Sequence, residues 1–219
     1  MTTIRNKLQS VNQRIAAACE ASGRSVNEIT LLAVSKTFPP EAVREANSCG
    51  QLAFGENYIQ EAVEKMALLS DLPLQWHCIG PIQSNKTRLV AEHFDWVQSV
   101  DRLKIAQRLD AQRPAHLPPL QVCIQVNTDG GPTKAGVAPQ ELDALVDAVR
   151  QLPRLALRGL MTIPEPADSP EQMHAQFDLS WPGVEEWLVR TAPAMTALLS
   201  GIGAVIDPDA IIIGGGLPP

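Results

Sequence analysis

Six short apolar runs begin at residues 29, 51, 74, 96, 121 and 155, at intervals of 22, 23, 22, 25 and 34 residues. Each interval holds one strand, one helix and two short connections. Consecutive strands must then run parallel, because a crossover of a dozen or more residues joins each to the next. The spacing predicts strands over 29–34, 51–55, 74–80, 96–100, 121–127 and 155–163. Helices are expected over 40–48, 57–69, 84–92, 102–112 and 139–151. An amphipathic helix over 2–22 comes first, with Ile4, Leu8, Val11 and Ile15 at steps of three and four on its packed face. Ile29 to Val34 is apolar throughout and reads as a buried strand. Pro39 and Pro40 suit a helix start, where a missing N–H costs little. Six βα units without an opening glycine-rich dinucleotide loop favour a TIM-type (β/α) barrel over a doubly wound sheet. Closure needs two more strands. Ala210–Ile213 is one candidate, and the MTALLSG stretch at 195–201, which reads equally well as helix, is the other.

Composition narrows the functions open to such a chain. Of its 219 residues, 45% are hydrophobic and 19% charged, which excludes wholesale disorder. Eighteen basic against 24 acidic residues leave a net charge of −6, which disfavours a broad nucleic-acid surface. No run of about 18 apolar residues is present to span a membrane, and MTTIRNKLQS carries no apolar signal segment. A cytoplasmic protein is the expectation. Cys19, Cys49, Cys78 and Cys123 form no CxxC pair and read as reduced thiols. His93, His116 and His174 have no metal-ligand spacing. The charge balance breaks near residue 165, after which eight acidic residues face a single basic one, Arg190.

The candidate chemistry gathers where strands end. Lys36 follows LLAVS; in a barrel that end opens into the site mouth, where a lysine can lose hydration and capture an aldehyde. A lysine at a strand end also snorkels into solvent readily. Phe54-Gly55-Glu56-Asn57-Tyr58 occupies the same end of the second strand. Asn57 there suits either a ligand contact or a helix cap, and Glu56 either points inward or favours the positive end of the next helix. Alternation along 76–79 puts Trp76 and Cys78 on one side and His77 and Ile79 on the other. His77 suits a flat heteroaromatic ring or a satisfied core position. Lys134 in the loop after the fifth strand faces an anion or solvent. Arg158, inside an apolar strand, needs a partner for its fork, a ring nitrogen or a carboxylate. The strand at 210–213 ends in Gly214, Gly215 and Gly216, whose N–H groups suit a phosphate or a tight chain end; no GxxxxGK[ST] loop accompanies them.

LLAVSK at 31–36, FGENYIQE at 54–61, WHCIGPIQSNK at 76–86, SVDR at 99–102, QVNTDGGPTKAGV at 125–137 and RGLMTIP at 158–164 resemble, in order, the YggS/PROSC family of pyridoxal 5′-phosphate homeostasis proteins. The resemblance covers about residues 1–166. It implies a barrel of the alanine-racemase N-terminal type, with pyridoxal 5′-phosphate (PLP) held as an internal aldimine on Lys36. Asn57 and His77 match the family's residues beside the cofactor ring, and Met161 the methionine near the pocket. The resemblance further implies cofactor handling rather than established turnover, and so no catalytic residues. A racemase would need a second acid or base, for which Tyr58 is poorly placed. The expected partner is the small-molecule cofactor. The expected state is a monomer if the barrel closes and a self-associating chain if it does not.

Beyond Pro166 the family's two phosphate-holding segments do not occur. DPDAIIIGGG and the rest of 178–219 resemble instead the C-terminal end of ROK-family sugar kinases and repressors. The chain thus divides into a PLP-binding barrel region, 1–166, and an atypical segment, 167–219, replacing the last barrel units. Kinase activity is not implied, since a nucleotide-binding glycine loop is not recognisable. Gly214 and Gly215 become candidates for holding the cofactor phosphate. The alternative is an apo scaffold that has lost the cofactor with the native phosphate-binding end.

Overall fold

The computed structural model describes residues 3–128 and 135–163. A long helix α1 (Ile4–Ser22) opens the chain, capped at its start by Thr3 and at its end by Gly23 in the left-handed region, φ +66°. Strands and helices then alternate: β1 (Ala33–Val34), α2 (Pro40–Ser48), β2 (Ala53–Glu56), α3 (Ile59–Leu68), β3 (Gln75–Cys78) and α4 (Thr87–His93). β4 (Trp96–Val100), α5 (Leu103–Gln112), β5 (Leu120–Gln125), α6 (Leu142–Arg150) and β6 (Leu155–Met161) complete the described part. Pro40 is the first residue of α2, as its missing N–H suggested.

All six strands are parallel and lie in the sheet in chain order, β1 to β6. A right-handed crossover repeated in one direction leaves every helix on the same face of the sheet. That face holds the core. Phe54, Trp76, Cys78, Val97, Val122 and Ile124 from the strands meet Val43, Ala62, Val90, Ile105, Leu109 and Val149 from α2 to α6 in one buried cluster. Along each strand the alternate residues point the other way, to what is the interior of a barrel: Gly55, His77, Gln98, Cys123 and Gln125. A sheet wound in one direction with helices on its outside is the (β/α) barrel arrangement of the alanine-racemase N-terminal type. The stretches proposed for closure, 195–201 and 210–213, lie outside the described residues.

One strand differs from expectation. Ile29–Val34 was read as continuously buried, yet β1 is two residues long and half-buried. Within the described sheet β1 is an edge strand, paired only with β2, and an edge strand is covered on one flank only. Ile29 and Leu31, just before it, pack instead against Val11, Ile15 and Cys19 of α1.

Candidate functional site

Parallel strands in one sheet bring their C-terminal ends to one rim, and four sequence candidates lie on or just inside it. Lys36 follows β1, Asn57 follows β2, His77 lies in β3 and Met161 ends β6. Lys36 is half-buried, within a turn closed by Phe38 N–H donating to the Ser35 carbonyl at 3.1 Å. Thr37, the next residue, has φ +63°. A β-branched residue in that region is strained by about 1–3 kcal/mol and persists only where the surroundings impose it.

Behind the turn lies a buried ion pair that holds the residue before Lys36. Lys65 of α3 donates from Nζ to the Ser35 carbonyl at 2.8 Å and to Glu56 Oε1 at 2.7 Å. Ser35 Oγ donates to the same carboxylate oxygen at 2.7 Å. Both charged side chains are shut from water, Glu56 fully and Lys65 nearly so. Glu56 therefore takes neither of the roles proposed for it. It faces the helix layer and fastens α3 to the backbone immediately before Lys36. Lys65 escaped the sequence reading because it flanks, rather than interrupts, the apolar face made by Ile59, Ala62 and Met66. A lysine at that spacing, following a strand that ends in glutamate, was the available signal.

Asn57 does not cap α3; the residue at the cap is Tyr58, and it makes no side-chain cap bond. Instead Asn57 Oδ1 is a buried acceptor without a partner among the described residues. Its backbone is pressed against Gly80: a Cβ there would lie 2.5 Å from the Asn57 carbonyl oxygen. Gly80→Ala must push the ends of β2 and β3 apart, at about 1–3 kcal/mol. Urea unfolding measures this, and an unchanged midpoint would show that the contact yields freely.

His77 lies on the side of β3 opposite Trp76 and Cys78, as alternation predicted, and that side is the barrel interior. Its ring stacks on Trp96, centroids 5.3 Å apart and planes 9° from parallel. Nδ1 lies 3.0 Å from Gln98 Nε2 and Nε2 lies 3.1 Å from Gln75 Oε1. An amide N–H donating to Nδ1, and Nε2–H donating to an amide oxygen, define a neutral ring protonated on Nε2. Burial pushes its pKa down to about 4. His77 is thus held by protein groups on both nitrogens and one face. In register on its other flank is Gly55, which has no side chain. The Gln75 and Gln98 partners went unforeseen; a glutamine inside WVQSV was the signal for one of them.

Met161 is buried at the end of β6, beside Gln125 in register. Among the described residues Arg158 meets neither of its expected partners, and its Nε donates to the neutral Gln121 Oε1. All four cysteines are free, and burial pushes the Cys78 and Cys123 thiols up to about 12, which keeps them protonated and unreactive. Gly214, Gly215 and Lys134 lie outside the described residues, and the whole of 167–219 with them. Among the described residues no three metal-ligating side chains cluster, and no helix is long and apolar enough to cross a membrane.

The family described as alanine racemase, N-terminal domain, matches residues 7–186. The pyridoxal phosphate homeostasis protein of Pseudomonas aeruginosa is 60% identical over 177 residues, 81% of this chain and 77% of that protein. Its Escherichia coli K12 counterpart is 56% identical over 169 residues, 76% and 72% of the respective chains. The chain belongs to the pyridoxal phosphate homeostasis protein family. The structure of PipY from Synechococcus elongatus, solved with PLP bound, superposes with a TM-score of 0.67 at 37% identity over 84% of each chain. An alanine racemase from Clostridium difficile superposes at 0.63 with 15% identity, covering 95% of this chain and 54% of the racemase, which bears on fold alone. The family match runs past the break in charge near 165. The sugar-kinase likeness of 178–219 is not among these findings.

The described residues fit the homeostasis family's cofactor. A buried acceptor at Asn57 lacks a partner, a neutral imidazole is fixed inside the barrel, and a half-buried lysine stands on a braced turn at the rim.

Proposed function

We propose that this protein binds PLP through Lys36 and serves intracellular PLP homeostasis, holding the cofactor rather than turning over a substrate. The unpartnered buried Asn57 Oδ1 beside the Lys36 rim carries this reading. Burying an acceptor without a bond costs about 1–3 kcal/mol, a penalty that a donor on a bound ligand removes. Likeness to relatives named for pyridoxal phosphate homeostasis supports it, as does a relative solved with PLP.

The bound cofactor would supply an aldehyde, with which a lysine amine condenses with loss of water. The chain's own residues set up that capture. Lys65 and Glu56 fix the Ser35 backbone, and so the direction from which Lys36 leaves β1. Asn57 would orient a polar group of the ring. His77, neutral and tied to Gln75 and Gln98, would present a fixed flat surface without adding charge. We assign the phosphate to backbone N–H groups at Gly214 and Gly215.

Absorbance after adding PLP to the purified protein and to Lys36→Ala tests this. A long-wavelength band should form in the wild type and be absent from Lys36→Ala. No band in either protein would leave the apo scaffold as the better reading. A band in both would move the covalent contact to another lysine.

A further inference from the structure

At the opposite rim, where strands begin, lies a cavity of about 270 Å³. It is lined by Gln75 and Trp96 at the starts of β3 and β4, Asp95 just before β4, Gln121, Arg113 and Arg158. Arg158 reaches it through a bulge in β6. Leu157 pairs with Val122 and Gly159 with Cys123, so Arg158 is an extra residue with no opposite number. Bulges of this kind re-aim a side chain and are enriched beside binding sites.

The two arginines differ in how they are satisfied. Arg113 gives Nε to the Pro118 carbonyl and Nη1 to those of Ala91 and Phe94 at 2.7–2.9 Å. That is a structural role, and Asp95 acts on the same guanidinium as its opposite charge. Arg158 gives only Nε, to the uncharged Gln121 amide, and both its terminal nitrogens are unengaged among the described residues. The two terminal nitrogens of Arg158 on the cavity wall thus have no acceptor among the described residues, and Arg113 adds a second positive charge to the same lining. An arginine fork matches a planar or tetrahedral oxyanion. Asp95 is the one carboxylate on the wall. It accepts the Trp76 N–H at 2.8 Å, and it disfavours a ligand carrying several negative charges at that point.

We propose that this cavity binds a small oxyanion, a carboxylate or phosphate group, between Arg158 and Arg113. The volume falls below the roughly 300–1,000 Å³ of pockets for drug-sized ligands, so the ligand is a small metabolite and not a second cofactor. The site stands at the end of the sheet away from Lys36, with His77, which stacks on Trp96 and contacts Gln75, between the two, and the proposal does not rest on the PLP reading.

Titration with sodium acetate and, separately, inorganic phosphate, followed by the NMR signal of the Trp96 indole N–H, tests it. A saturable shift is expected with at least one anion, and the one that acts identifies the group. Arg158→Gln, an exposed substitution, should weaken that binding about tenfold or more. Lys36→Ala and the surface control Arg150→Gln should leave it unchanged. No saturable shift with either anion would overturn the proposal, as would equal affinity in Arg158→Gln. Equal weakening in Arg150→Gln would also overturn it, since the effect would then be one of net charge.

Discussion

Lys65→Met is expected to lower stability by about 3–5 kcal/mol, the cost of leaving a buried carboxylate without its counter-ion. The geometry explains why this lysine is costly to lose. It holds Glu56 Oε1 and the Ser35 carbonyl at once, and after its removal Glu56 keeps only the Ser35 hydroxyl. Glu61, its other acidic neighbour, lies 3.7 Å away at the surface and contributes little. Urea unfolding gives the number. The double variant Glu56→Leu/Lys65→Met should regain most of the loss, because an apolar pair of similar volume avoids the unpaired charge. A single variant within about 1 kcal/mol of wild type would show that water reaches the carboxylate and that the pair is not the brace described above.

The second large effect is on the acid side. His77 has its pKa pushed from 6.5 to about 4 by burial. Below pH 6.5 the unfolded chain takes up a proton that the folded chain refuses until about pH 4, so stability falls as the pH falls through that window. Above 6.5 the ring is neutral in both states and contributes no slope. The full loss is about 3 kcal/mol, from the roughly 1.4 kcal/mol attached to each unit. Asp95, whose pKa burial raises, acts in the opposite sense at the acid end. It is present equally in His77→Gln, so the difference between the two proteins isolates the imidazole. Unfolding measured at pH 7 and pH 4.5 should show a much smaller acid loss in His77→Gln. Equal losses in both proteins would mean that the folded ring takes up its proton readily.

The barrel was legible because its signals are local and repeated. Strand spacing near 22 residues, helical periodicity between runs and a proline at a helix start each act within a dozen residues, and the five strands after β1, with their helices, formed within a few residues of the expected positions. β1 fell short for a reason no local pattern contains: its burial depends on what lies on both of its flanks. The site was legible in its residue types and less so in its partners. Alternation set His77 on the side opposite Trp76 and Cys78, yet which groups would hold its two nitrogens depended on bringing Gln75 and Gln98 together across β3 and β4. Glu56 was misread because a charged residue at a strand end suggests solvent or ligand, and only the packed helix reveals Lys65. Arg158 was aimed by a bulge, a register event between two strands that neither strand announces alone.

The strand order has a bearing on how such a chain is made. Each strand hydrogen-bonds to the one translated just before it, so every pairing closes a short loop, and the entropy of closure stays small. Synthesis delivers residues slowly compared with the time a βα unit needs to dock. The sheet can therefore grow at the ribosome one unit at a time, with the Lys36 turn braced as soon as α3 emerges, long before the last third of the polypeptide exists.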